Sequence, residues 1–199
     1  GRRPYEMVWA GRRADEVAPV DRLESAAGWT AEGENAVAKA SDADDRLLFG
    51  DGTLRFDYRA TGAKPVVRLR RAEPLGLRPF DTFSVWVYGN NFYGRSPAGT
   101  PMTQLAADFA DADGKAFSLH VATILHREWC KFQVKVPKDR LARAMKGGCS
   151  FVGFTLTGGT NTEDRRLDLT SVCAYVEELR PLSFKPRAKR GVRVFKDQD

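Results

Sequence analysis

The chain has 199 residues, 42% hydrophobic and 11% aromatic, a composition that can build a packed core and excludes a disordered polymer. No apolar run approaches the ~20 residues that a membrane-spanning helix needs. The net charge of +6 sits at the ends: residues 1–13 hold four Arg and one Glu, residues 180–199 hold seven bases and two acids, and residues 14–179 keep 21 bases and 23 acids, which argues against a nucleic-acid-binding face.

Residues 1–19 read as an N-terminal extension. They show no apolar leader and no initiator Met, which fits a piece of a longer protein. "SDADDR" (Ser41–Arg46) reads as a turn or a short helix. "TLRFDYRA" (Thr53–Ala60) alternates Leu54, Phe56 and Tyr58 with Arg55, Asp57 and Arg59, the period-two pattern of a half-buried strand. "VVRLRRAEPL" is a second strand, expected to end at Pro74. "FDTFSVWVYG" is a third, with apolar residues on both faces. "TQLAADFADADGKAFSLHVATI" reads as a hairpin that turns at Asp111-Ala112-Asp113-Gly114. "EWCKFQVKVP" and "SFVGFTLTGG" alternate again, and "RRLDLTSVCAYVEEL" is the last strand. Only "PKDRLARAMKGG" looks helical, with Leu141 and Met145 one turn apart and Gly147 as the stop. The expected fold is all-β: a two-sheet antiparallel jelly-roll β-sandwich over residues 20–179, with one short helix. Residues 180–199 read as a basic linker toward a further domain.

Cys130, Cys149 and Cys173 have no metal-ligand spacing and read as buried thiols. His120 and His126 are the only histidines, and no nucleophile-elbow, zincin or phosphate-loop motif stands beside them. Trp86 alternates with Val85 and Val87. If the valines face the core, Trp86 and Tyr88 face outward; the opposite assignment buries Trp86.

The succession "DRLESAAGWT", "GDGTLRFDY", "FDTFSVWVYGNN", "DFADADGKAF", "EWCKFQVKVP" and "SFVGFTLTGG…RRLDLTSVCAYVEEL" resembles the galactose-binding-like jelly roll of non-catalytic carbohydrate-binding modules. The resemblance covers about Val20 to Leu179. It implies a module that targets a linked carbohydrate-active enzyme, such as a glycoside hydrolase, to a polysaccharide or oligosaccharide in an extracellular or periplasmic setting. It also implies a structural calcium, at positions matching Asp168 and either Asp21 or Glu24. Calcium is held by six to eight oxygens, few of which need be carboxylates. An ion pair of Asp168 with Arg165 or Arg166 is the competing reading. Trp129 matches a position that is usually structural.

Sugar sites use aromatic faces for stacking, with amides and Arg for the hydroxyls. Trp86, Tyr88, Asn90, Asn91, Phe92, Tyr93 and Arg95 supply these types around one long loop and are the candidate ligand contacts. Two further readings compete: a structural or protein-interaction β-sandwich, and a jelly-roll polysaccharide lyase, whose Q-x-H and Y-x-K-x-G-x-Y motifs are absent.

Overall fold

The computed structural model describes residues 8–9, 12–13, 17–89 and 102–177. The strands are β1 (Val8–Trp9), β2 (Arg12–Arg13), β3 (Trp29–Glu34), β4 (Ala36–Ala43), β5 (Thr53–Ala60), β6 (Val66–Gly76), β7 (Thr82–Tyr88), β8 (Gln104–Ala110), β9 (Ala116–Thr123), β10 (Trp129–Lys135), β11 (Ser150–Thr157) and β12 (Arg165–Tyr175). The single helix among the described residues is α1 (Lys138–Met145). Two five-stranded sheets form the sandwich, one in the order β10-β7-β12-β5-β4 and the other β3-β6-β11-β8-β9. All the strand pairs in them are antiparallel. Within residues 1–19, β1 and β2 form a separate two-stranded ladder. The expected all-β two-sheet sandwich is therefore the observed architecture.

The alternation in the sequence decides which face each strand buries. Leu54, Phe56 and Tyr58 of β5 point inward, as do Phe83, Val85 and Val87 of β7. From the opposite sheet come Leu69, Leu105, Phe109, Leu119, Phe151 and Phe154. Phe109 sits among Phe80, Phe83, Phe117 and Phe151, with ring centroids 5.1–5.8 Å away. This aromatic cluster is the centre of the interior.

Three details differ from the sequence reading. β3 and β4 are strands in a stretch that carries little strand signal. Ser41, Asp42 and Ala43 end β4 rather than starting a turn or helix, because each pairs along β5. β6 also continues past Pro74 to Gly76. The register of β11 shifts between Phe151 and Gly153 opposite this end of β6. A proline with no N–H is tolerated at such an irregularity. Gly153 has φ +151°, and a Cβ there would lie 2.0 Å from the Leu69 carbonyl oxygen, so the bulge requires glycine.

The turn at residues 111–115 forms as the sequence implies. The Asp111 carboxylate accepts from the N–H groups of Asp113 and Lys115, and Gly114 takes φ +75°. Its other oxygen accepts from Arg143 Nε of α1 at 2.6 Å, which ties the helix to the hairpin.

Candidate functional site

The inward valines of β7 settle the orientation of its neighbours. Thr82, Ser84, Trp86 and Tyr88 face the outer side of the β10-β7-β12-β5-β4 sheet. Antiparallel registry then places cross-strand partners on the same face. Trp129 of β10 and Asp168 of β12 lie opposite Tyr88, Lys131 and Thr170 opposite Trp86, and Arg55 opposite Asp168. Gln133 and Lys135 continue the row on β10.

Tyr88 and Trp129, both partly exposed, form an edge-to-face pair with centroids 5.6 Å apart. Trp86 differs: it is 6% exposed, and the Phe49 ring packs edge-on against it at 5.7 Å. Its ring is covered, so the partly exposed aromatic pair of this face is Tyr88–Trp129. Asn90, Asn91, Phe92, Tyr93 and Arg95 lie outside the described residues.

The β4–β5 connection supplies Phe49 and, three residues earlier, Arg46. The Arg46 guanidinium lies 4.5 Å over the Tyr88 ring and 3.3 Å from Asp168 Oδ2. Arg55 Nε donates to Asp168 Oδ1 at 2.7 Å, and Arg55 also pairs with Asp45. Arg166 extends the ladder to Asp45 and Asp57, at 3.5 and 3.6 Å. Arg55 holds the Asp45 carboxyl below its ordinary range, with burial pushing the other way. Burial opposes the Arg55 charge, but hydrogen bonds to Asp168 and Asp45 outweigh it and raise its pKa. At the opposite end of the face, Lys135 bridges Asp81 and Glu177, and Gln133 donates to Glu177.

The three carboxylates expected to hold calcium do not fit that ion as arranged. Asp168 is fully buried, and both its oxygens accept from guanidinium groups, those of Arg55 and Arg46 rather than Arg165 or Arg166. One oxygen of Asp21 pairs with Arg71 and the other accepts from the Leu23 N–H. Glu24 pairs with Arg22 at 3.6 Å. A divalent cation would face an arginine at each position, and no cluster of three potential ligands occurs among the described residues. Asp168 instead anchors the arginine ladder under the aromatic pair.

The histidines lie apart from this arrangement. His120 is exposed and pairs with Ala106, whose neighbours Leu105 and Ala107 face the core, so it stands on the outer side of the other sheet. The His126 ring lies 3.3 Å from the Val87 carbonyl and against Phe132. Burial lowers its pKa and favours the neutral ring. Cys149 and Cys173 are buried and Cys130 partly so, all three free, and burial raises each thiol pKa.

Arg46, Arg55, Asp45 and Phe49 were not among the sequence candidates. The local signal of Asp45, Arg46 and Phe49 is the charged stretch "SDADDRLLFG", which runs from the end of β4 into the β4–β5 connection and folds back over a sheet face; Arg55 stands on β5. Trp129, matched to a structural position by resemblance, stands on that face beside Tyr88.

No protein-family model matches the chain, and no curated protein matches it in sequence. Its fold is similar to solved structures. A carbohydrate-binding module of the β-sandwich superfamily aligns with a TM-score of 0.53 and 12% identity, covering 79% of this chain. This chain spans 62% of that structure's length. The family 11 carbohydrate-binding module of the cellulosomal cellulase Lic26A-Cel5E of Clostridium thermocellum gives 0.47 and 10%, over 84% of this chain and 99% of the module. The enzymatically active domain of tailspike protein 4 of bacteriophage CBA120 gives 0.47 and 13%, over 77% and 20%. At these identities the likeness is one of fold.

Proposed function

We propose that this chain is a non-catalytic carbohydrate-binding module that holds glycan on the outer face of the β10-β7-β12-β5-β4 sheet. The observation that carries the reading is the partly exposed Tyr88–Trp129 pair, flanked by the Arg46 guanidinium on the same face. Aromatic rings stack on the apolar faces of sugars, and a fixed guanidinium donates to oxygens at their rim. The fold likeness to a carbohydrate-binding module supports the same reading. In this account the module targets a linked carbohydrate-active enzyme to its polysaccharide, outside the cytoplasm. No helix among the described residues is long and apolar enough to cross a membrane.

Titration of the 199-residue chain against a panel of oligosaccharides and polysaccharides tests this reading. Binding in the millimolar-to-micromolar range is expected. Tyr88→Ala and Trp129→Ala should each weaken it about tenfold or more, the scale of losing one aromatic contact at a site centre. Unchanged thermal unfolding of both variants would assign the loss to the site. Absence of binding to every glycan in the panel would overturn the proposal.

The covering of Trp86 by Phe49 favours one competing reading, a structural β-sandwich whose outer aromatics serve packing. That reading predicts no glycan binding and equal stability losses for Tyr88→Ala and Trp86→Ala.

A further inference from the structure

The proposed glycan face carries a partly exposed guanidinium, that of Arg46, beside its aromatic pair. Asp168 is already neutralised by Arg55, whose Nε donates to Oδ1 at 2.7 Å. Arg46 is a second cation on the same carboxylate, touching Oδ2 with one N–H at 3.3 Å. Its side chain is 32% exposed, and its remaining N–H groups have no partner among the described residues. The Tyr88 ring lies 4.5 Å beneath it. Lys131 lies on the same face, two residues along β10 from Trp129 and opposite Trp86. Lys39, exposed on β4, faces Asp57 across the ladder. In the ladder itself Arg46, Arg55, Arg166 and Lys39 stand against Asp45, Asp57 and Asp168, with Asp44 and Asp51 exposed on the β4–β5 connection. Arg127 and Glu128, just before Trp129, offset each other. The opposite sign occurs at the far end, where Lys135 meets both Asp81 and Glu177.

Neutral sugars need donors and acceptors but no net charge. A planar guanidinium with free donors, seated against an aromatic ring, matches a carboxylate through paired hydrogen bonds. We infer that the ligand of this face is an acidic glycan, a uronate-bearing polysaccharide whose carboxylate docks on Arg46 while its ring lies against Trp129, beside the Arg46–Tyr88 contact. The inference rests on the glycan-binding reading given above and narrows it to a substrate class.

The test compares three ligands on the full chain by titration: uronate polymers (polygalacturonate, alginate), their methyl esters, and sulfated glycans. The uronates should bind about tenfold more tightly than the esters, the scale of one hydrogen-bonded charge. The preference should shrink as salt is raised. Arg46→Ala should abolish the acid-over-ester ratio, and Arg46→Lys should retain part of it. Tyr88→Ala should weaken acid and ester alike. Equal affinity for acid and ester would overturn the inference and leave the glycan-binding reading standing. Binding to sulfated glycans alone would overturn the carboxylate assignment. Polyanion binding indifferent to both Arg46→Ala and Tyr88→Ala would place the anion on the basic ends of the chain and overturn the inference. Failure of every glycan, acidic or neutral, would overturn both readings.

Discussion

Replacing Asp168 by alanine is expected to destabilise the fold by about 3–5 kcal/mol, the cost of breaking a buried ion pair from one side. Asp168 is fully buried, and Arg55, with a side chain 12% exposed, would lose one of its two carboxylate partners. Arg46 would lose its only carboxylate among the described residues. Arg55 keeps Asp45, so the loss should fall toward the lower end of the range. For a domain of this size, 3 kcal/mol corresponds to a fall in Tm of roughly 6–12 °C. Urea unfolding of Asp168→Ala against the parent measures it directly. A second variant sharpens the cause. Combining Asp168→Ala with Arg55→Met and Arg46→Met removes the stranded charges and should recover part of the loss. A single-variant loss below about 1 kcal/mol, the range of an exposed pair, would show that the ladder is solvated and structurally idle.

Phe109→Ala should cost a similar 3–5 kcal/mol, for a different reason. Phe109 is 1% exposed and touches the rings of Phe80, Phe83, Phe117 and Phe151. These rings come from both sheets and from the segment before β7, so a cavity there cannot close without moving whole strands. The cost combines lost apolar burial with an unfilled void. Phe117→Ala, on the edge strand β9 and 7% exposed, should cost less because solvent can reach the vacated space at the sheet edge. Equal losses for the two variants would contradict the placement of Phe109 at the centre of the interior. Equilibrium unfolding in urea, with matched m-values, makes the comparison.

The sequence was legible where periodicity and turn chemistry acted locally. β5 alternates so regularly that its limits, Thr53–Ala60, match the pattern residue for residue. The β8–β9 hairpin is encoded by Asp111 and Gly114, whose side-chain capping and positive φ build the turn within five residues. β3 and β4 were illegible for the converse reason. "WTAEGE" and "AVAKASDA" are rich in Ala, Glu and Lys, which have little intrinsic strand preference. They become strands because β6 and β5 offer them edges to pair with. Such pairing is a tertiary fact that a local pattern does not carry.

The candidate site divides along the same line. That Tyr88 and Trp86 share a face follows from alternation, but which face depends on the opposing sheet. The partners of Asp168 lie 113 and 122 residues away in the chain. Arg165 and Arg166, adjacent to Asp168 in sequence, pointed to a local ion pair, whereas the strand register delivers Arg55. The covering of Trp86 depends on Phe49, in a connection whose path over the sheet has no periodic signature. The arginines that occupy Asp168, the residue matched to a calcium position, come from these distant segments.

The central claim is that glycan lies on the Tyr88–Trp129 face, and the indole N–H resonances of the four tryptophans test it most directly. The chain contains Trp9, Trp29, Trp86 and Trp129, so each indole can be assigned by single substitution. Trp29 is 8% exposed and packs on Phe151 and Phe154 in the interior, which makes it an internal control. On titration with a bound uronate oligosaccharide, the Trp129 indole should shift progressively while that of Trp29 stays fixed. Saturable binding that leaves Trp129 unmoved, or that instead shifts His120 and its neighbours on the other sheet, would contradict the account.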